Sequence, residues 1–110
     1  MNEHAMTPVV EAADLEPVWR EPLAVLYKHS PLCGLSAMAE QEVRAFVRTN
    51  PDVPVYLVDV IRSRPLSQEV ERRLEVRHES PQAFVLRGGE VVWHGSHRAV
   101  TADRLETETT

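Results

Sequence analysis

Two nearly continuous apolar runs, Leu23 to Tyr27 and Val53 to Val60, bracket a long amphipathic segment. A run without polar alternation has no face to give to water, so each reads as a strand covered on both sides. Between them Leu35, Met38, Ala39, Val43, Phe46 and Val47 recur at helical spacing, while Glu40, Glu42, Arg44 and Arg48 mostly fill the other face. Acid early and arginine late complement the helix dipole, and Asn50-Pro51 ends the segment. Strand, helix and second buried strand in that order predict a parallel pair joined by a crossover helix.

The rest of the chain attaches to this unit. Residues 1–8 are polar and expected to be flexible, with Val9-Val10 as a very short edge strand. Ala12 to Arg20, interrupted by Pro17, reads as a short helix. Residues 65–75 form another, with Leu66, Val70 and Leu74 on one side, Pro65 in its first turn and Ser63 or Ser67 as cap. Ala83 to Leu86 and Glu90 to His94 are short strands joined around Gly88-Gly89, a tight-hairpin signal. Thr101 caps a closing helix over Ala102 to Glu106, and residues 107–110 are expected to fray. The order β-α-β-α-β-β-α predicts one α/β domain over residues 1–110. Its sheet would be four-stranded and mixed, a parallel pair plus a C-terminal antiparallel hairpin, with helices on both faces. That is the arrangement of the thioredoxin fold.

Composition narrows the function. A formal charge of −5 on 110 residues offers no basic footprint for nucleic acid or an anionic membrane surface. No run approaches the roughly 20 apolar residues that span a bilayer, and the N-terminus lacks the basic start and apolar stretch of a signal peptide. A single cysteine forms no internal disulfide, so the expected compartment is the reducing cytoplasm, and the expected state is a monomer.

That cysteine, Cys33, follows the polar turn after the first strand and opens the long helix. Unpaired backbone N–H groups and the positive end of the dipole there favour thiolate over thiol. Lowering a thiol pKa from ~8.5 to ~6.5 raises the thiolate fraction at pH 7 about 25-fold but weakens each thiolate as a nucleophile about 10-fold. Attack gains only about 2–3-fold; the larger benefit is that a low-pKa sulfur leaves well. Such a site suits thiol–disulfide exchange, in which the protein sulfur attacks once and departs once. Position 36, where a two-cysteine exchanger keeps its second thiol, is Ser36, so a resolving thiol must come from outside. The competing reading is a buried, inert cysteine.

Around Cys33 the sequence offers further candidates. Lys28 and His29 are cations that could favour the thiolate or hold a ligand, against the plainer reading of Lys28 as a solvated surface residue. Ser80-Pro81 precedes the third strand, where the thioredoxin fold keeps a cis proline facing its cysteine; the Ser80 backbone would then pair with an extended sulfur-bearing ligand. His94 and His97 span a strand end and a Gly-Ser turn, not one helical face, so no metal site is expected. Phosphate-loop, dinucleotide and serine-elbow motifs are missing.

Tyr27-Lys28-His29-Ser30, Cys33-x-x-Ser36, His78-Glu79-Ser80-Pro81-Gln82, and Trp93 through Ser96-His97 with Thr101 resemble the monothiol bacilliredoxins, YtxJ-type proteins of the bacillithiol system. The likeness runs from about Leu23 to Leu105. The family usually reads Thr-Cys-Pro-Ile-Ser at the nucleophile; Leu32-Cys33-Gly34-Leu35-Ser36 departs from that toward the Cys-Gly-Phe-Ser of monothiol glutaredoxins. The resemblance implies a thioredoxin-like fold and removal of bacillithiol from mixed disulfides on client proteins. Cys33 would attack the bacillithiol sulfur, with Ser36 donating a hydrogen bond to Cys33. Lys28, His29, Gly34, Ser80 and Pro81 would hold the small thiol. Bacillithiol is then a co-substrate, with no tightly bound cofactor. Two alternatives stand beside this: a glutaredoxin-like protein using glutathione or carrying an iron–sulfur cluster, and a non-catalytic thioredoxin-fold binding module.

Overall fold

A computed structural model describes residues 6–110. Five strands form one sheet: β1 (Thr7–Pro8), β2 (Ala24–His29), β3 (Val55–Asp59), β4 (Gln82–Arg87) and β5 (Glu90–Ser96), in the spatial order β1-β3-β2-β4-β5. The helices are α1 (Glu16–Arg20), α2 (Gly34–Thr49), α3 (Arg64–Leu74) and α4 (Ala102–Thr109); 3-10 turns at Ala12–Leu15 and His97–Ala99 lead into α1 and toward α4. The parallel pair is β2 with β3 and the hairpin is β4 with β5, as expected, and β4 returns antiparallel beside β2.

The expected four strands become five. β1 pairs in parallel with β3, Thr7 opposite Tyr56 and Pro8 opposite Leu57, two residues before the Val9-Val10 position expected for it. Burial explains the register: Met6 and Val9 are both buried, each in a different apolar cluster, and pin the segment from either end, whereas Val10 is exposed. Proline is tolerated because β1 is an edge. Of the segment expected to be flexible, residues 1–5 lie outside the described residues, and residues 6–8 are held. At the other end α4 continues to Thr109 instead of fraying from residue 107. The Thr109 hydroxyl donates to the Leu105 carbonyl (2.7 Å) and the Thr110 hydroxyl to that of Glu106 (2.6 Å), satisfying carbonyls at the helix end.

β2 is the axis. Its residues 24–28 are fully buried, and alternation sends neighbours to opposite faces. Val25 and Tyr27 pack with Ala39, Val43, Phe46 and Val47 of α2 and Leu105 of α4. Ala24 and Leu26 pack with Val18 of α1 and with Leu66 and Val70 of α3. At roughly 1.5–3 kcal/mol for each large apolar side chain, these two layers fix where the ends of β2 emerge. The hairpin closes on Gly88 and Gly89, with φ of 58° and 83°; a Cβ on Gly89 would stand 2.7 Å from the Trp19 carbonyl oxygen, so only glycine fits.

Candidate active site

Where β2 ends, the chain turns through Ser30 to Leu32 and delivers Cys33 as the residue that caps α2. The Cys33 amide donates to the Ser30 carbonyl (3.2 Å), and its own carbonyl accepts from the Ser36 and Ala37 amides, so both sides of the thiol are anchored. The sulfur is partly exposed. Its side chain closes no capping hydrogen bond as a neutral thiol, yet its pKa lies below the ordinary value. The Ser36 amide is the main cause, followed, on the lowering side, by the Leu35 amide and the Ser36 hydroxyl, against the opposing effect of desolvation. The favouring groups are dipoles at a helix start; neither Lys28 nor His29 is among them. A Cβ at Gly34 would meet nothing within 4 Å, so the space over the first helical residue is open.

Ser36 is completely buried and has two partners in this turn. Its hydroxyl oxygen accepts from the Ser30 amide (3.2 Å), which leaves the hydroxyl proton for the sulfur. Its carbonyl accepts from the Tyr27 hydroxyl (3.1 Å), and that hydroxyl also meets Nδ1 of His29 (2.9 Å). With the single tyrosine proton given to Ser36, the His29 proton is assigned to Nδ1. Burial, followed by the charges of Glu40 and of Cys33 as thiolate, raises the Tyr27 pKa, so the phenol stays a donor. His29 Nε2 lies 3.8 Å from the Glu40 carboxylate, which in turn binds Arg44. His29 therefore braces the turn through Tyr27.

Lys28, one residue earlier, goes the other way. It is fully buried, its ammonium donating to the Ser67 carbonyl and to Nδ1 of His78, both at 3.1 Å, with the Phe84 ring 5.9 Å away. Burial lowers its pKa to about 8, partly offset by Glu71. His78 also meets the Ser67 hydroxyl (3.2 Å) and gives its backbone N–H to Glu71 (2.8 Å). Burial and the Lys28 charge hold the imidazole below its ordinary pKa, which keeps it neutral. The Ser67–His78 pair looks like a nucleophile and base, but Ser67 is buried and the Nδ1 lone pair that would take its proton already accepts from the Lys28 ammonium.

These bonds tie down the loop that carries Ser80 and Pro81. The Ser80–Pro81 peptide is cis. Gln82, also buried, takes the Glu79 amide on its Oε1 (3.2 Å) and gives Nε2 to the Arg77 carbonyl (2.9 Å). The Pro81 carbonyl accepts from the His97 amide (2.9 Å), and the Ser80 hydroxyl is buried without a partner among the described residues. His97 and Leu35 line one groove beside α2, with Met38, Glu42 and Arg98, so the Cys33 helix and the proline loop border the same surface. Met38 on the groove wall is exposed, as is Leu32 in the turn before Cys33.

The structure thus brings Cys33, Gly34, Ser36 and, through Tyr27, His29 into one turn, and ties the Pro81 carbonyl to His97 on the wall of the groove beside α2. Lys28 is placed behind the proline loop. Tyr27, Ser67, Glu71 and Gln82 carry no mark of a supporting role in the sequence; the one available signal is a lysine directly following an apolar run.

Among the described residues no helix is long and apolar enough to cross a membrane, and no group of three or more His, Cys, Asp or Glu side chains converges. A solved structure described as having a thioredoxin fold is 28% identical, with a TM-score of 0.90 over 96% of this chain and 94% of that one. The thioredoxin of Trypanosoma brucei brucei superposes with a TM-score of 0.79 at 17% identity, covering 97% of this chain and 89% of its own. Mitochondrial thioredoxin 3 of Saccharomyces cerevisiae, in its oxidised form, gives 0.77 at 16% identity over 98% and 97%. The fold is thioredoxin-like, and family and fold together support a role of the thiol–disulfide oxidoreductase kind. A family model described as "Monothiol bacilliredoxin BrxC" matches residues 7–105, and the chain belongs to that family.

Proposed function

We propose that this protein is a monothiol exchanger that removes bacillithiol from mixed disulfides on client proteins, with Cys33 as nucleophile. The Cys33 thiolate attacks the bacillithiol sulfur of the mixed disulfide. The client–bacillithiol S–S bond breaks, a Cys33–bacillithiol S–S bond forms, and the client sulfur leaves as thiolate and takes a proton from water. A second low-molecular-weight thiol, as thiolate, or a partner redoxin then attacks the bacillithiol sulfur and returns Cys33. Each step exchanges one disulfide for another, so no further oxidant or reductant enters.

The observation that carries this reading is a partly exposed sulfur whose thiolate is favoured by the Ser36 and Leu35 amides and the Ser36 hydroxyl. Ser36 stabilises the sulfur both as attacker and as leaving group. Gly34 leaves room for the incoming disulfide, and in this reading the backbone of Ser80 and Pro81, tied to His97 on the groove wall, meets the ligand. Lys28 and His29 act through His78 and Tyr27, fixing the two loops between which the small thiol sits. Bacillithiol is a co-substrate here and leaves with each turnover.

The test is intact mass after parallel exposure to oxidised bacillithiol, oxidised glutathione and cystine. The bacillithiol adduct forms fastest, maps to Cys33 and vanishes in Cys33→Ser. Equal rates with all three leave a generic exchanger; a faster glutathione adduct selects the glutaredoxin-like reading that Cys33-Gly34-Leu35-Ser36 favours. Protection of Cys33 throughout selects the passive binding module.

A further inference from the structure

Between α3 and the loop that carries His78 lies a cleft of about 280 Å³, bordered by Val60 and Ile61, by Arg64, Ser67, Gln68 and Glu71 of α3, and by His78. We propose that this cleft binds the carboxylate end of the low-molecular-weight thiol that Cys33 exchanges. The inference rests on the reading of Cys33 as a small-thiol exchanger and assigns the recognition of that thiol to a place apart from the sulfur.

Three observations carry it. The Lys28 ammonium has only protons to give, so Nδ1 of His78, which also lies 3.2 Å from the Ser67 hydroxyl, is the acceptor and the one ring proton sits on Nε2, a donor on a ring that lines the cleft. Lys28 and Arg64 are positive, while Glu71, the opposing acid, already accepts the His78 backbone N–H; Glu79 on the same loop faces His97 instead, at 3.6 Å. On the cleft's lining and just behind it two cations, Arg64 and Lys28, thus stand against one acid in a chain of formal charge −5. Glu79 is the weaker of the two acidic charges acting on His78, and the buried ammonium is screened little by salt. Finally, both walls run into the Cys33 site: His78 stands two residues before Ser80, and the Val60 amide donates to the carbonyl of His29, where the Cys33 turn begins. Arg64 and Gln68 are exposed and unpaired among the described residues, so a carboxylate displaces no internal bond. A guanidinium fork and an imidazole N–H make charge-assisted bonds to it.

The experiment compares 3,3′-dithiodipropionate with neutral bis(2-hydroxyethyl) disulfide as exchange substrates. In the parent protein KM favours the diacid by about tenfold, the order expected from one charge-assisted hydrogen bond. Arg64→Gln and the exposed substitution Gln68→Glu each bring that ratio close to one. A parent ratio of one, or a ratio that neither variant moves, overturns the cleft and leaves exchange at Cys33 standing. If the parent exchanges neither disulfide, the exchanger reading itself has failed. The cleft is then judged by the His78 ring resonances of Cys33→Ser: shifts with the diacid and not with its diamide support it, and equal or no shifts overturn it.

Discussion

Lys28 places a positive charge in the core where a methionine would fit, and the cost is measurable. Its pKa falls from 10.5 to about 8 because burial penalises the ammonium more than Glu71 attracts it. At 1.36 kcal/mol per pKa unit, the folded chain bears a cost of about 3 kcal/mol for keeping Lys28 charged at neutral pH. Below pH 8 folded and unfolded chains both hold the proton, and this group adds no slope. Between about 8 and 10.5 the unfolded chain holds a proton that the folded one has released, so stability climbs with pH. Above that window the slope vanishes again.

Lys28→Met isolates the effect. His78 Nδ1 keeps the Ser67 hydroxyl as donor, so the substitution forfeits the two Lys28 hydrogen bonds, about 2 kcal/mol together, while removing the larger desolvation cost. At pH 7 the variant is more stable than the parent by about 1 kcal/mol, and the difference moves in the parent's favour by about 3 kcal/mol as pH rises through the window. The assay is urea unfolding of both proteins from pH 7 to 10.5, read as a difference. Tyr27 and Tyr56 also titrate late, Tyr56 pushed up to about 12 by burial and Glu21, and both lower stability above their unfolded pKa near 10; present in both proteins, they cancel. A variant less stable by 2 kcal/mol at pH 7, together with a pH-independent difference, would refute the reasoning and make Lys28 a net structural asset.

The remaining expectations concern the sulfur and its cradle. Iodoacetamide alkylation of Cys33 is half-maximal below the ordinary thiol range, and Ser36→Ala moves the midpoint upward; an unmoved midpoint removes the hydroxyl from the list of causes. Tyr27→Phe breaks the bonds to the Ser36 carbonyl and to His29, costs about 1–2 kcal/mol in thermal or urea unfolding and slows exchange; full stability would mean the turn holds without it. Pro81→Ala slows exchange with the sheet intact by circular dichroism, and unchanged kinetics would take Pro81 out of the site. Gly89→Ala lowers stability by more than 1 kcal/mol, since its Cβ meets the Trp19 carbonyl and its φ is positive; a neutral result would show that the hairpin relaxes.

The buried parallel pair, the crossover helix and the hairpin were legible because each is written in a local pattern: continuous apolar runs, helical spacing, and Gly88-Gly89. Cys33 at the first strand–helix junction follows from them. β1 was misplaced because two residues carry no period, and its register is set by Met6 and Val9 reaching separate clusters, which is a tertiary fact. The end of α4 is not legible because Thr107, Thr109 and Thr110 are poor helix formers, and the Thr109 hydroxyl bond that rescues the end is visible only once the helix exists. Lys28 could be read either as solvated or as a ligand, and it is neither exposed nor beside the thiol. The alternation that buries Tyr27 toward α2 sends its neighbour toward α3, where only a long-range partner such as His78 gives an ammonium somewhere to go.

That alternation also accounts for how one strand serves a site made of two loops. Tyr27 reaches forward on one face to hold the Cys33 turn through Ser36, and Lys28 reaches out on the other to hold the proline loop through His78. Adjacent residues of a central strand are about as rigid a pair as a domain offers, since β2 is hydrogen-bonded on both edges and covered on both faces. The separation between the Cys33 turn and the proline loop is therefore set by the strand and not by the loops themselves. A charge in the core that costs stability is consistent with such a role, because an apolar side chain at position 28 would pack as well and hold nothing.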